Sequence, residues 1–117
     1  MNQNCLLFVY GLLKPQYSPP KTVVNHWPDQ IFGDLYCLGD YPGAINIEKS
    51  KNLVSGYVLE IHQTELEWLD DYEDVVSGEY RRIQVRTLEG HCCWVYEYLQ
   101  DIPKDGAIIQ NWEKTSS

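Results

Sequence analysis

The sequence has 117 residues, of which 44% are hydrophobic and 13% aromatic, a composition typical of one globular domain with a real core. Its nine basic and seventeen acidic residues give a net charge of −8, which disfavours nucleic acid and anionic membrane surfaces as partners. The apolar run CLLFVYGLL is shorter than the roughly 20 residues that a transmembrane helix needs. We therefore expect a single domain over residues 1–117, with about residues 113–117 frayed, that binds neither nucleic acid nor membrane.

Patterns typical of short strands, separated by turn residues, occupy most of the chain and predict a curved mixed sheet. CLLFVY is a continuous apolar run that ends at Gly11, as expected of a central strand buried on both faces. The proline-rich residues 12–30 predict a long surface excursion with one helical turn at residues 22–26. The runs IFGDLYCLG, AINIE and LVSGYVLEI predict further strands. Their glycines mark turns, bulges or close backbone approach: Gly33, Gly39, Gly43 and Gly56.

The second half of the chain predicts a capped helix, a hairpin and a short terminal helix. Thr64 and Glu67 have the spacing of a capping box at the start of the helix TELEWLDDYED. The runs YRRIQVRTL and HCCWVYEYL predict two strands joined by a turn at Glu89 and Gly90. The tail AIIQNW predicts a short final helix over its isoleucines and tryptophan.

Glu73 is the most informative residue of the predicted helix. At about 100° per residue it projects between Leu66 and Leu69, in the apolar stripe, whereas Glu67 and Asp71 point elsewhere. A carboxylate that leaves water is costly unless it is paired or its pKa rises, so an inward glutamate is a candidate general acid/base. The same pattern also fits a structural glutamate that accepts hydrogen bonds from the backbone or from tyrosines.

The four cysteines predict neither a disulfide framework nor a metal site. Cys92 and Cys93 are adjacent in a predicted strand, where successive side chains point to opposite faces and cannot clasp one ion beside His91. Cys5 and Cys37 lie within apolar runs, and no signal peptide opens the chain. We expect buried structural thiols, no metal, and a reducing cytoplasm.

The aromatic residues of the helix and the last long strand predict core packing, and any that stay exposed could form a homodimer contact. They are Trp68, Tyr72, Trp94, Tyr96 and Tyr98.

Five segments, in order, resemble the γ-glutamylcyclotransferase-like superfamily, which includes the AIG2-like proteins. FVYGLLKP resembles its F-V-Y-G-T-L-K/R-P/G opening, and GDLYCLGDYPGA is similar to G-x-L-Y-x-L-x-x-Y-P-G/A. VSGYVLEI is similar to V-x-G-x-V-x-x-V, LEWLDDYED to L-x-x-L-D-x-Y/F-E-D/G, and SGEYRRIQV to the Y-x-R-x-x-V run. Each block alone is common, but the ordered set covers most of residues 8–85.

The resemblance implies a compact single-domain α/β (α+β) fold, a curved mixed sheet or partial barrel with few helices. It also implies release of 5-oxoproline from a small γ-glutamyl amine, peptide or isopeptide without metal or organic cofactor. Glu73 occupies the position of the family's catalytic glutamate, and Tyr80 becomes a possible pocket residue. The implied substrate loop, whose backbone amides hold the γ-glutamyl group, comprises Tyr10, Gly11, Leu12 and Leu13.

Two departures from the family pattern affect the same loop. Leu12 stands where the family usually has Thr or Ser, and Gln16 replaces a common Gly. A non-catalytic module that binds a small ligand or a protein through the retained pocket therefore stays open as an alternative, as does transfer of the γ-glutamyl group to another acceptor. Tyr80 and Arg82 equally fit core packing and a surface ion pair.

Overall fold

Strand pairing around the apolar run near the N-terminus organises the molecule. The structure, a computed structural model, describes residues 3–72 and 78–114. Within these ranges lie eight strands and one helix: β1 (Asn4–Val9), β2 (Asn25–Phe32), β3 (Asp34–Cys37), β4 (Pro42–Ile45), β5 (Leu53–His62), α1 (Glu65–Tyr72), β6 (Tyr80–Arg86), β7 (Cys92–Tyr98) and β8 (Ile108–Ile109).

Five of the strands form an open mixed sheet in the order β2-β5-β1-β7-β6. Strand β1 lies at its centre, antiparallel to β5 and parallel to β7. A second sheet, in the order β4-β3-β8, packs beside it. The predicted α/β class, with a curved mixed sheet and few helices, is confirmed.

Side chains of β1 alternate between two apolar clusters, one on each face of the five-stranded sheet. Leu7 and Val9 belong to the cluster that also holds Leu66 and Leu69 of α1. Phe8 belongs to the opposite cluster, with residues of the second sheet. Each fully buried side chain of this kind contributes about 1.5–3 kcal/mol. The prediction of a central strand buried on both faces is confirmed.

Helix α1 begins where the sequence predicts, directly after Thr64, whose hydroxyl lies 2.7 Å from Nδ1 of His62. Its apolar stripe is buried, because Leu66 and Leu69 are 4% and 0% exposed. Trp68, on the other side of the helix, is exposed. The eight residues of α1 fall far short of the length needed to cross a membrane, and α1 is the longest helix in the described ranges.

The predicted helical turn at residues 22–26 is wrong, because β2 already begins at Asn25. Its eight residues pair with β5 from Asn25↔Glu60 to Phe32↔Leu53. Pro28 is tolerated within this strand because β2 lies at the edge of the sheet, where a missing N–H donor breaks no ladder.

The predicted final helix is also wrong. Ile108 and Ile109 form β8, which pairs with Tyr36 and Leu35 of β3. Trp112 is only 3% exposed and packs in the core between the sheets. The tail therefore gains more from strand pairing and tryptophan burial than from the helix that its short apolar pattern predicts.

Two predicted strands have different bounds in the structure. The run IFGDLYCLG is divided at Gly33, so that β2 and β3 enter different sheets. The strand predicted at AINIE lies earlier, over Pro42–Ile45, and it is followed by Asn46 and Glu48 with positive φ angles of 53° and 65°. Such angles are incompatible with a continuing strand.

The predicted hairpin of β6 and β7 is confirmed, with a turn at Gly90, which has a φ angle of 90°. Cys93 is buried and Cys92 exposed, as expected for neighbours in a strand. The prediction that the thiols are buried is wrong for Cys92 and Cys37, which are both exposed; all four cysteines are unpaired.

Candidate active site

A cavity of about 280 Å³ opens where the loop after β1 meets the beginning of β6. The loop and the end of β1 contribute part of the lining, and residues at the start of β4 and of the β6–β7 hairpin contribute the rest. The volume lies just below the roughly 300–1,000 Å³ that is typical of small-molecule sites. Its lining comprises Phe8, Val9, Tyr10, Gly11, Leu12, Leu13, Tyr41, Pro42, Glu79, Tyr80 and Tyr96.

The loop of residues 10–13 presents backbone donors that the turn does not use. The Lys14 N–H donates to the carbonyl of Gly11 at 3.0 Å, and the carbonyl of Leu12 accepts from Ser18 at 2.8 Å. Within residues 3–72 and 78–114, the N–H groups of Gly11, Leu12 and Leu13 donate to no backbone carbonyl. Consecutive amides of this kind can bind an anion or a polarised carbonyl oxygen.

Lys14 fixes the far end of this loop to the C-terminal segment. Its side chain is 1% exposed, and Nζ donates to the carbonyl of Trp112 and lies 3.4 Å from Oδ1 of Asn111. Burial, opposed by the charge of Glu113, lowers the pKa of Lys14. The buried side chain of Lys14 therefore fixes the loop of residues 10–13 to the C-terminal segment.

Two tyrosine hydroxyls hold the cavity wall rigid. The Tyr10 hydroxyl donates to the carbonyl of Tyr96 and accepts from the N–H of Ala44 at 3.3 Å. The Tyr80 hydroxyl donates to the carbonyl of Pro42 at 2.8 Å. Both rings are about 6% exposed. The first sheet is thereby tied to β4 on both sides of the cavity.

Gly11 is required by packing as well as by backbone access. A Cβ atom at this position would lie 2.7 Å from Cγ of Pro42 and 3.0 Å from its Cδ, closer than carbon atoms approach in folded proteins. Any larger residue would push the loop away from β4, and so would change the position of the free amides.

Glu79 is the one charged residue in the cavity lining that the structure describes. Its carboxylate lies within hydrogen-bonding reach of the Tyr41 hydroxyl, which also neighbours the Tyr98 hydroxyl. Burial first, and the negative charge of Glu79 second, raise the pKa values of both Tyr41 and Tyr98. The two tyrosines therefore stay protonated and can serve as donors.

Glu73, the predicted catalytic residue, lies outside the described residues. The helix turn before it is well defined, because Leu66 and Leu69 are buried against the sheet. Asp70, three residues before Glu73 in the sequence, forms an ion pair with Arg82. The Asp70 carboxylate accepts hydrogen bonds from Nε of Arg82 at 2.8 Å and from its Nη2 at 3.1 Å. The Tyr96 hydroxyl donates a further hydrogen bond to Asp70 at 2.7 Å.

Arg82 is thus a packing residue and an ion-pair partner. Besides its bond to Asp70, its guanidinium lies 4.5 Å from the centre of the Trp94 ring. The hydrogen bonds to Asp70 are the main reason that the pKa of Arg82 is raised. It does not line the cavity.

A second polar cluster lies at the other end of the β6–β7 hairpin. The Asp29 side chain is fully buried. Its carboxylate accepts hydrogen bonds from the Gln30 N–H at 2.7 Å, the Glu89 N–H at 3.2 Å and Nδ1 of His91 at 2.9 Å. Thr87 donates a further hydrogen bond. Trp27 stacks on the imidazole with ring centres 5.5 Å apart.

Metal-ligand geometry is lacking in the described part of the chain, where no three His, Cys, Asp or Glu side chains could hold an ion. Burial raises the pKa of Cys93 to about 12 and also raises that of Cys5, so neither supplies a thiolate near neutral pH.

The structure thus brings together the loop residues Tyr10, Gly11, Leu12 and Leu13 with Tyr80, as the sequence predicts, although their roles in binding stay predictions. Sequence reasoning missed six further lining residues, Phe8, Val9, Tyr41, Pro42, Glu79 and Tyr96. Tyr41 is the tyrosine of the Y-P-G element in the block GDLYCLGDYPGA, a signal that could have found it, whereas Glu79 stands in SGEYRRIQV at a position that the family pattern leaves open. Tyr96 was assigned only to core packing.

A sequence profile described as "Gamma-glutamyl cyclotransferase, AIG2-like" matches residues 7–114. No curated protein matches the chain significantly in sequence. Several solved structures are similar. An AIG2-like protein from Mus musculus superposes with a TM-score of 0.76 at 21% identity, over 96% of this chain and 90% of that one.

Two further structures are similar over most of their length. The protein ytfP from Escherichia coli has a TM-score of 0.61 at 29% identity, over 91% of this chain and 92% of its own. A gamma-glutamyl cyclotransferase has a TM-score of 0.60 at 19% identity, over 90% of this chain and 71% of its own. These similarities place the eight strands and α1 in a known fold.

Proposed function

The chain belongs to the gamma-glutamyl cyclotransferase, AIG2-like family, and on this basis we propose that it is a γ-glutamylcyclotransferase. Its substrate would be a γ-glutamyl amine, peptide or isopeptide, and its products 5-oxoproline and the released amine. The observation that carries this proposal is that Gly11, Leu12 and Leu13 line the cavity and that their N–H groups donate to no backbone carbonyl within residues 3–72 and 78–114.

The proposed reaction is an intramolecular aminolysis. The substrate's α-amino nitrogen attacks its own γ-carbonyl carbon, a C–N bond closes the five-membered ring, and the C–N bond to the leaving amine breaks. The α-ammonium group gives up two protons in total, and the departing nitrogen takes up both to leave as an ammonium ion. Since nucleophile and electrophile share one molecule, the protein mainly has to hold the folded conformer.

The loop amides supply the electrophilic half of this chemistry. As the amine attacks, negative charge develops on the γ-carbonyl oxygen, and fixed N–H donors stabilise that charge without having to reorganise. Lys14 and the Tyr10 hydroxyl keep this loop in place through buried bonds to the tail and to β4. Leu12 lacks the hydroxyl that most of the family has, but the backbone donor at this position is present.

Glu73 is proposed as the general acid/base that moves the protons. Helical spacing from the buried Leu66 and Leu69 supports an inward direction, and the family resemblance supports the role. Its carboxylate would accept a proton from the α-ammonium group, and the protonated form would later donate to the departing nitrogen. Asp70 is paired with Arg82, so its charge opposes the ionisation of Glu73 less than an unpaired aspartate would.

The reaction as written needs no metal or organic cofactor. We further propose a cytoplasmic location, with which four unpaired thiols agree, and a small-molecule partner rather than nucleic acid or membrane, with which the net charge of −8 agrees. A homodimer through exposed aromatic residues such as Trp68 also stays a proposal.

A non-catalytic module is the second candidate, and Leu12 is the observation that favours it. Such a protein would keep the cavity and its amides and bind a small amino-acid-like ligand. It would form no 5-oxoproline.

The experiment that separates the two candidates is incubation of the protein with a panel of γ-glutamyl amines, peptides and isopeptides, followed by mass spectrometry for 5-oxoproline. Matched compounds with an acetylated α-amino group serve as controls, because they keep the γ-glutamyl bond but lack the nucleophile. Formation of 5-oxoproline from the free compounds alone supports the proposal. Binding of the panel without any 5-oxoproline would instead support the module.

A further inference from the structure

Glu79 is a carboxylate without a counter-ion at a cavity that holds no other described charge. None of the ion pairs among residues 3–72 and 78–114 includes it. The two arginines that follow it are committed to other carboxylates, Arg81 to Glu97 and Arg82 to Asp70. The negative charge of Glu79 is therefore available to a ligand.

The hydroxyl groups beside Glu79 do not cancel this charge. Tyr41 and Tyr98 have raised pKa values, first from burial and then from the Glu79 charge itself, so they remain neutral. Neutral hydroxyls can orient the carboxylate, but they leave its full negative charge in place. Tyr41 also contributes an aromatic ring to the lining, and cations are attracted to the faces of such rings.

Glu79 and Tyr41 belong to the more exposed part of the cavity lining, which we call its open end. Tyr41 is 37% exposed and Glu79 is partly exposed, whereas Phe8, Val9 and Leu13 in the same lining are 7% exposed or less. A γ-glutamyl group that the loop amides hold against these buried residues would leave the open end to the rest of the substrate. The departing amine, which is the variable part of the substrate, would then extend past Glu79.

We propose that Glu79 makes this open end selective for γ-glutamyl amines whose amine portion carries a second positive charge, such as a γ-glutamyl diamine. The inference rests on the proposed function. A leaving group that bears a carboxylate, as in a γ-glutamyl amino acid, meets repulsion from Glu79, and no described Lys, Arg or His lines the cavity to offset it.

The test compares two substrates of equal length, γ-glutamyl-1,4-diaminobutane and γ-glutamyl-n-pentylamine, in which a methyl group replaces the terminal ammonium. We expect the wild-type protein to favour the charged compound in kcat/KM by about 3- to 5-fold, the upper part of the range expected of a partly exposed charge pair. Glu79→Gln should bring this ratio to about 1–2. The ratio, rather than either rate, is the readout.

Glu89→Gln is the matched control, since it removes an equal charge from an exposed residue at the other end of the hairpin. It should keep the wild-type ratio. A second measurement needs no variant: the wild-type ratio should shrink as the salt concentration rises from about 20 to 500 mM, because screening weakens the pairing.

Three results would overturn the inference. The first is a wild-type ratio of kcat/KM near 1, and the second is a ratio that Glu79→Gln leaves unchanged. The third is an equal loss of kcat/KM for both substrates in that variant, which would assign Glu79 to binding of the α-ammonium group or to proton transfer. If no compound yields 5-oxoproline, the proposed function fails on its own. Calorimetry of the same two compounds with wild-type protein then decides the inference, since tighter binding of the diamine derivative supports it and equal affinities contradict it.

Discussion

The two ends of the β6–β7 hairpin each carry a carboxylate in a concave region, but the two carboxylates are held differently. Asp29 is surrounded by fixed donors: two backbone N–H groups, the Thr87 hydroxyl and the His91 ring. Glu79 has a neutral hydroxyl neighbour and no counter-ion in the described chain. Both carboxylates therefore lie in clefts, but they differ in how much of their hydrogen-bonding capacity remains for a ligand.

This comparison indicates which feature marks a functional site. A carboxylate whose oxygens are saturated by its own fold stabilises the hairpin, and a histidine beside it does not make a catalytic dyad. At the cavity, by contrast, the N–H groups of Gly11, Leu12 and Leu13 donate to no backbone carbonyl of the described residues, and Glu79, beside the Tyr41 hydroxyl, takes part in no described ion pair. Unused hydrogen-bonding capacity costs stability, so it is kept where a ligand satisfies it.

Of the substitutions that test this comparison, Asp29→Asn should have the largest effect on the free energy of unfolding. The amide keeps the size of the side chain but replaces one acceptor with a donor and removes the charge, so we expect a loss of about 1–3 kcal/mol in the free energy of unfolding. Urea denaturation measures it. 5-Oxoproline formation per folded molecule should be unchanged.

Asp105→Asn serves as the control, because Asp105 is exposed and lies outside the cluster. It should change the free energy of unfolding by less than about 0.5 kcal/mol. If Asp29→Asn were as stable as this control but inactive, the roles that we assign to the two ends of the hairpin would be reversed.

Acid should destabilise the same end of the hairpin. Burial disfavours the charged form of Asp29, but the hydrogen bonds from Thr87, His91, Gln30 and Glu89 outweigh it, and its pKa is lowered overall. A lowered pKa in the folded state contributes stability above the unfolded value of about 3.9, and this stability is lost as the pH falls below it.

The free energy of unfolding should therefore fall more steeply between about pH 5 and pH 2 in the wild-type protein than in Asp29→Asn. Asp34, whose pKa is also lowered, contributes to the slope of both proteins alike. Parallel pH curves for the two proteins would show that Asp29 is not held in its charged form.

At the cavity end, Leu12→Thr should have a smaller effect. Leu12 is partly buried against the core, and the exchange keeps its backbone N–H in place while restoring the hydroxyl common in the family. We expect the fold to persist and kcat/KM to change by less than about 10-fold, the value of one or two hydrogen bonds. Steady-state kinetics with the best substrate of the panel measures this, and complete inactivation would contradict the backbone-donor account.

Much of this architecture follows from the sequence because the pattern and the packing agree. The run CLLFVY, the stripe of Leu66 and Leu69, and the turn at Gly90 each have a local signal that the tertiary structure reinforces. The tail fails for the opposite reason. Ile108 and Ile109 obtain their partner from β3, some seventy residues earlier in the chain, and no local pattern reports such a contact.

The candidate site divides in the same way. Residues 10–13 and Tyr80 could be identified because they stand in blocks that resemble the family. Glu79 could not, because its significance depends on where Arg81 and Arg82 find their partners, which only the folded hairpin decides.

The smallest effect should come from reductant and from chelator. The four thiols are unpaired, burial raises the pKa values of Cys5 and Cys93, and the exposed Cys37 and Cys92 hold no disulfide. Neither dithiothreitol nor EDTA should move the melting temperature by more than about 1 °C, because the four thiols form no disulfide and residues 3–72 and 78–114 contain no cluster of metal ligands. A drop of several degrees with either reagent would show that the thiols are misassigned.

The central claim is that Glu73 moves the protons while the loop amides hold the substrate. Glu73→Gln keeps the shape of the side chain but removes the base, and Glu67→Gln, on the exposed side of α1, is the matched control. Single-turnover measurement of 5-oxoproline should show a fall of ~10²–10⁴-fold for Glu73→Gln and none for the control, with unchanged melting temperatures and retained substrate binding. A folded Glu73→Gln protein that forms 5-oxoproline at the wild-type rate would contradict the account.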